Sequence, residues 1–180
     1  MGKIWFTSDQ HFGHHGIIRH SNRPWTDAAQ MNEAIIENYN NLVGDSDIVY
    51  MLGDFAWKGM EDLVWRLNGR IHYIRGNHDK KRMDKPEVAA RFDSIQNYLE
   101  VRMHGKHLVL FHYPIIDWSG RYRGSWHLYG HTHGTHKQYS GSLEVSVDCC
   151  GYRPIEFSEL DGLITPFDEK DNIHSRGKND

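Results

Sequence analysis

Apolar residues fall into two patterns, short unbroken runs and sets spaced by three or four positions, and the two alternate through the first 75 residues. Lys3-Ile4-Trp5-Phe6-Thr7-Ser8, rich in branched and aromatic residues, predicts a buried strand ending at Asp9. Gln10 to Trp25 reads as a long loop. From Asp27 onward Met31, Ile35, Tyr39 and Leu42 recur at helical spacing, with Asp27 and Gln30 placed as a capping box and Gly44 as the stop. Asp47-Ile48-Val49-Tyr50-Met51-Leu52 is a second strand-like run. Met60, Leu63, Val64 and Leu67 form a second helical set ended by Gly69, and Ile71-His72-Tyr73-Ile74-Arg75 is a third run. Strand, helix, strand, helix, strand implies parallel pairing with right-handed crossovers, hence an α/β sheet.

After a short helical stretch from Glu87 to Phe92, runs at 95–103, 106–111, 126–129, 143–147 and 155–157 follow. Short turns such as His104-Gly105 suggest antiparallel hairpins there. The expectation is a mixed α/β (α+β) fold, two packed sheets with helices outside, in one domain over residues 1–167, with a polar tail over 168–180.

The 180 residues suit a single core. Lys and Arg number 21 against 24 Asp and Glu, a formal charge of −3, so net charge announces no basic face for nucleic acid or an anionic membrane. No apolar stretch approaches the roughly 18 residues of a membrane span. Met1-Gly2-Lys3 runs straight into the first strand, so the expected address is the cytoplasm. Cys149 and Cys150 are adjacent and read as two half-buried thiols at a strand end. The departure from ordinary composition is histidine, with 14 residues, and its placement decides what it means.

Just past the predicted strands stand Asp9 and His11, then Asp54, Asn77 and His78, His112, and finally His131 with His133. The carboxyl ends of strands in an open α/β sheet are where loops aim side chains into one crevice. Each string alone is ordinary turn chemistry; five in succession, each at a strand end, form one site. Asp9, His11, Asp54, Asn77, His112, His131 and His133 exceed the four to six ligands that one ion takes. The surplus implies a second divalent ion, with Asp54 able to bridge at a separation of about 3.5–4 Å. Such a centre, with two carboxylates and a hydroxide, keeps net positive charge and suits a phosphate ester. The mixed nitrogen and oxygen donors leave manganese, iron, zinc, nickel or cobalt open, with manganese placed first. A closed, cysteine-rich structural zinc site does not match them.

Asp9-Gln10-His11, Gly53-Asp54, Gly76-Asn77-His78-Asp79, His112 and Gly130-His131-Thr132-His133 resemble, in order and spacing, the signature of the calcineurin-like metallophosphoesterases. The resemblance spans residues 3 to about 160. Ser8 to His14, Arg23-Pro24-Trp25, and Gly124 to His127 leading into Gly130-His131 are similar to small stand-alone bacterial and phage phosphoesterases. The resemblance implies a four-layer αββα sandwich. It also implies that Asp9, His11 and His133 hold one ion, that Asn77, His112 and His131 hold the other, and that Asp54 bridges them. His78 is implied to protonate the leaving oxygen, with Asp79 orienting it, while a metal-bridging hydroxide attacks phosphorus of a phosphodiester or phosphomonoester. Gln10, the middle residue of Asp-x-His, is expected to point away from the site.

Several features carry two readings. His14 and His15 are either exposed loop residues or contacts to phosphate oxygens. Lys80-Lys81-Arg82-Met83-Asp84-Lys85 is either a solvated helix face or a phosphate-steering patch. Trp118, Arg121, Tyr122, Arg123 and Trp126 either fold onto the core or form a platform for a nucleobase, which would make the substrate a nucleotide. Two other functions are a non-catalytic scaffold for protein partners, against which the complete ligand set argues, and a nuclease, for which no large basic surface is evident. The expected partner is a small-molecule phosphate ester, with no membrane and no obligate nucleic acid.

Overall fold

In the computed structural model, which describes residues 2–171, strand β1 (Ile4–Thr7) lies parallel to β2 (Ile48–Met51), which lies parallel to β3 (Arg70–Ile74). Helix α2 (Ala28–Asn40) connects the first pair, and α3 (Met60–Leu63), continued by a 3-10 turn at Val64–Arg66, connects the second. The Asp27 carboxylate accepts the Gln30 backbone N–H at 2.9 Å, the capping arrangement its spacing predicts. Alternation along these strands builds two cores at once. Trp5, Val49, Met51, Ile71 and Tyr73 face Met31, Ile35, Tyr39, Met60 and Val64 on the helices. Phe6, Tyr50, Leu52 and Ile74 face the opposite way, against Leu108, Leu110, Trp126 and Leu128 of the other sheet. Each such burial contributes roughly 1.5–3 kcal/mol before entropy is charged against it.

The first sheet has the order β4-β3-β2-β1-β9, with β4 at Phe92–Gln96 and β9 at Ile155–Glu156; the second has the order β5 (Tyr98–Met103), β6 (Lys106–Phe111), β7 (Trp126–Tyr129), β8 (Ser142–Glu144). The run predicted over 95–103 is in fact two strands. β4 pairs in parallel with β3, and β5 (Tyr98–Met103) pairs antiparallel with β6 (Lys106–Phe111). Continuous strand propensity across Asn97 hides the point where the chain changes sheets. The β5–β6 hairpin is present, but β7 (Trp126–Tyr129) and β8 (Ser142–Glu144) pair in parallel, so the hairpins expected there are crossovers through 112–125 and 130–141. The result is two mixed sheets packed face to face with helices, the predicted fold class.

Helices α4 (Pro86–Ala89) and α5 (Leu160–Leu163) complete the regular structure, together with α1 (His15–His20) inside the predicted loop. Six residues, of which only Ile17 is buried, are too few to show a helical period in sequence. The outer face of the second sheet, marked by His127, is covered by the 114–125 loop: Trp118 packs on His127 at 5.4 Å between ring centroids. Asp168 donates its backbone N–H to Ser140, and Ser140 donates its own to the Asp171 carboxylate. The remainder of the expected tail, 172–180, lies outside the described residues. Among the described residues no helix is long and apolar enough to cross a membrane.

Candidate metal centre

Past Thr7 the chain keeps its partners on both sides. Ser8 donates to Val145 O and accepts from Val147 N, while Asp9 N donates to Gly53 O and His11 N to Asp54 O. This stitch joins the ends of both sheets, so side chains that leave β1, β2, β3, β6 and β7 meet in one crevice. Asp9, His11 and His133 bring one ligand atom each within 4.8 Å of one another, and Asp54, His112 and His131 do the same. Asp54 Oδ2 lies 3.6 Å from His11 Nε2 and 3.5 Å from His112 Nε2, between the two groups. Asn77 Oδ1 is 2.9 Å from His112 Nε2. All seven sequence-predicted ligands are thereby brought together.

The backbone is bent to achieve this. Asp9, His11, Asp54, His131 and His133 have φ between 49° and 77°, and they are five of the eight non-glycine residues with positive φ among those described. Asp and His tolerate this region better than most residues, yet each such conformation costs of the order of 1–3 kcal/mol and persists only where surrounding contacts impose it. Glycines supply the clearance. A Cβ on Gly76 would stand 2.2 Å from Asp54 Oδ1, and one on Gly130 would stand 2.4 Å from Asp9 Oδ2.

Ring orientations leave bare lone pairs pointing inward. His112 Nδ1 lies 2.7 Å from Leu52 O, which accepts only, so that nitrogen carries one proton and Nε2 is turned to Asn77 Oδ1 and Asp54 Oδ2, a place that a second proton or a cation fills. His133 Nδ1 faces the Asp148 carboxylate at 2.6 Å, which frees its Nε2 in the same way. His11 Nε2 is buried without a hydrogen-bond partner. Buried acceptors aimed at one another are unfavourable unless a cation sits among them, so this donor set fits divalent metal ions.

The titration behaviour agrees. Burial pushes the Asp9 carboxyl up to about 6, against His112 and His133, and burial lowers the His11 imidazole to about 3. Burial also acts against charge on Asp54 and His112. The hydrogen bond and charge they share prevail, holding Asp54 near 2 and raising His112 to about 9, with help from Asp9 and the Leu52 carbonyl. A proton on His112 occupies the place that a metal cation would take. His131 is lowered by burial and by His112. Burial opposes charge on His133 too, but Asp148 raises it on balance.

His78 donates its backbone N–H to Asp54 Oδ1 at 2.9 Å, and its ring, exposed at the crevice mouth, lies 5.5 Å from that of His11 and 5.4 Å from Trp57. Asp79 does not orient that imidazole as expected. It is fully buried, and its oxygens accept the N–H groups of Gly76, Asp54 and Phe55, so it clamps the turn carrying Asp54. Gln10 is buried and donates to Thr7 Oγ1, away from the ligands.

Three supporting residues carry no signal in the sequence. Asp148 braces His133, and Arg23 grips Asp148 with two hydrogen bonds while donating to Asp9 O and Gln10 O. The 125 positions between Arg23 and Asp148 leave no local signal. Glu144, also buried, accepts from Thr132 and Gly134 and holds the loop carrying His131 and His133.

In the loop around Trp118 three of the five aromatic and basic residues, Trp118, Arg121 and Trp126, fold onto the core, while Tyr122 and Arg123 are exposed. Trp118 is 5% exposed and donates to Ser125, while Arg121, 1% exposed, lies 4.8 Å from the Trp118 ring and 5.5–5.7 Å from those of Tyr122, Tyr139 and Phe167. In the 80–85 string Arg82 donates to Ala56 O and Trp57 O, Met83 is buried and Lys85 meets Glu61, so these three side chains serve the fold. Cys149 is exposed, Cys150 is half-buried, and both are free thiols.

No protein-family model matches the chain. The uncharacterized protein MJ1445 of Methanocaldococcus jannaschii is 35% identical over 176 residues, which cover 91% of this chain and 92% of that protein. The gene 66 protein of Mycobacterium phage D29 is 30% identical over 161 residues, covering 74% of this chain and 79% of its own length. Among solved structures, the protein of unknown function AQ665 from Aquifex aeolicus superposes with a TM-score of 0.69 at 26% identity, over 91% of this chain and 100% of that one. The chain belongs to one family with MJ1445 and the phage D29 gene 66 protein.

Proposed function

We propose that the protein is a dinuclear metal-dependent phosphoesterase that hydrolyses a small phosphate ester, either a diester or a monoester. The observation that carries this reading is the position of Asp54 Oδ2, 3.6 Å from His11 Nε2 and 3.5 Å from His112 Nε2, between two three-residue groups of potential ligands. Asp9, His11 and His133 hold one ion and Asn77, His112 and His131 the other, with Asp54 shared; manganese is the first metal to test. Such ions, when bound, polarise the phosphoryl oxygens and lower the pKa of a water toward neutrality.

The chain's own residues do the rest. His78, at the mouth of the crevice, gives a proton from its imidazole N–H to the departing alkoxide oxygen. Asp79 holds the Asp54 backbone N–H and the His78 backbone N–H holds the Asp54 carboxylate, and Arg23 with Asp148 fixes the ring of His133. The motif resemblance supports a place among the small stand-alone phosphoesterases of bacteria and phages.

The test is an assay of manganese-loaded protein on bis-p-nitrophenyl phosphate and p-nitrophenyl phosphate, with zinc, nickel and cobalt in parallel. Turnover that disappears with chelator and returns with metal is expected, and silence with every metal would overturn the reading. In the active form His78→Ala lowers kcat by about 10²–10⁴-fold on an ester with a poor leaving group while metal content is retained.

A further inference from the structure

The wall of the metal crevice is not exhausted by the ligands and His78. A cleft of about 490 Å³ opens over them, and one side of it is α1, which contributes Ile17, Arg19 and His20, preceded by His14. The wall is tied to the metal ligands. Ile17 is buried beneath it, and the segment that follows carries Arg23, whose guanidinium binds Asp9 O, Gln10 O and Asp148. Residues on α1 therefore stand in a fixed relation to the centre.

Arg19 is exposed on this wall. Arg23, Arg66, Arg70 and Arg153 each meet a carboxylate, whereas among the described residues no carboxylate or carbonyl oxygen is paired with Arg19. Helix capping does not account for it, because the carbonyls of Ile17 and Ile18 already accept the N–H groups of Ser21 and Arg23. Apart from Asp54, the cleft is lined by no acidic residue. A free guanidinium, with five donors in a planar fork, is built to hold an oxyanion such as phosphate or carboxylate. The scissile phosphate has its own partners in the centre, which leaves Arg19 for a different group of the same molecule.

We infer that Arg19 is a specificity residue for a substrate carrying a second anionic group, of phosphate or carboxylate type, apart from the phosphoester that is cleaved. This rests on the phosphoesterase reading of the crevice. It adds a property that a generic ester such as bis-p-nitrophenyl phosphate lacks.

The experiment measures equilibrium binding to the manganese-loaded full-length protein by calorimetry, so that its outcome does not depend on turnover. The probes are alkyl monophosphates of three to six carbons and the matching α,ω-alkane bisphosphates, which scan the distance between two anionic groups. At one chain length or more, the bisphosphate is expected to bind at least tenfold more tightly than its monophosphate, well beyond the twofold given by two equivalent ends. Arg19→Ala reduces that ratio to about twofold, Arg19→Lys keeps part of it, and Arg102→Ala, away from the cleft, leaves it unchanged. No bisphosphate advantage at any length, or an advantage that survives Arg19→Ala, would overturn the inference. Lack of hydrolysis of both nitrophenyl esters alongside a normal bisphosphate advantage would instead count against the catalytic reading alone.

Discussion

The Asp9–His11–His133 group and the Asp54–His112–His131 group draw on the same two residue types, yet they are braced by different means. The first leans on a charged chain: Arg23 grips Asp148, Asp148 orients His133, and the same guanidinium holds the carbonyls of Asp9 and Gln10. The second leans on backbone: the Leu52 carbonyl orients His112, while the amides of Asp54 and Gly76 meet Asp79. A charged brace can be removed by one substitution, at Asp148 for the first group or at Asp79 for the second, whereas the Leu52 carbonyl cannot be mutated away. The two groups are therefore separable by mutation, except at Asp54, which they share.

The largest effect is expected there. Asp54→Ala removes the atom between both groups, so metal analysis should find both ions lost and activity gone. A variant that keeps two ions and wild-type turnover would end the dinuclear reading. Next in size, Asp148→Ala leaves the second group intact and loosens the first. Its metal affinity should fall about 10–100-fold at one of two sites, which a two-site titration resolves. An equal loss at both sites would show that the braces are not independent.

A smaller and purely electrostatic difference concerns protons. Near neutral pH the metal-free protein keeps a proton on His112, raised to about 9, which a cation must displace. Burial, by contrast, leaves His11 already neutral. Filling the second group should release about one proton from this imidazole, and its affinity should rise with pH up to about 9. The sign follows from competition: below that pH the proton occupies the site, and above it the lone pair is free. Calorimetry in buffers of different ionisation enthalpy measures the release, and no difference between buffers would contradict it.

The legible part of the fold was whatever repeats locally. β1, β2, β3, α2 and the capping by Asp27 follow from unbroken apolar runs and helical spacing, because their buried faces are set by residues a few positions apart. Illegible were the change of sheet at Asn97, the parallel pairing of β7 and β8, and the six-residue α1, since each depends on what packs nearby rather than on period. At the site, residue types that bind metal at strand ends stood out, whereas Asp148 looks like any loop aspartate until His133 is placed 2.6 Å away. For the aromatic and basic residues near Trp118 the sequence leaves two readings because it does not report that Arg121 is buried while Tyr122 and Arg123 are exposed.

By itself, the sequence determined the alternation of elements, the seven donors that sit after strands, and the glycines beside them. Those properties are local, written in period and residue chemistry. Folding alone settles that Asp54 lies between two groups, that Asp79 serves the backbone rather than His78, and that Arg19, among the described residues, stands unpaired on the cleft wall. Each of these is a distance between residues far apart in the chain, and such distances exist only once two sheets have closed on a common core.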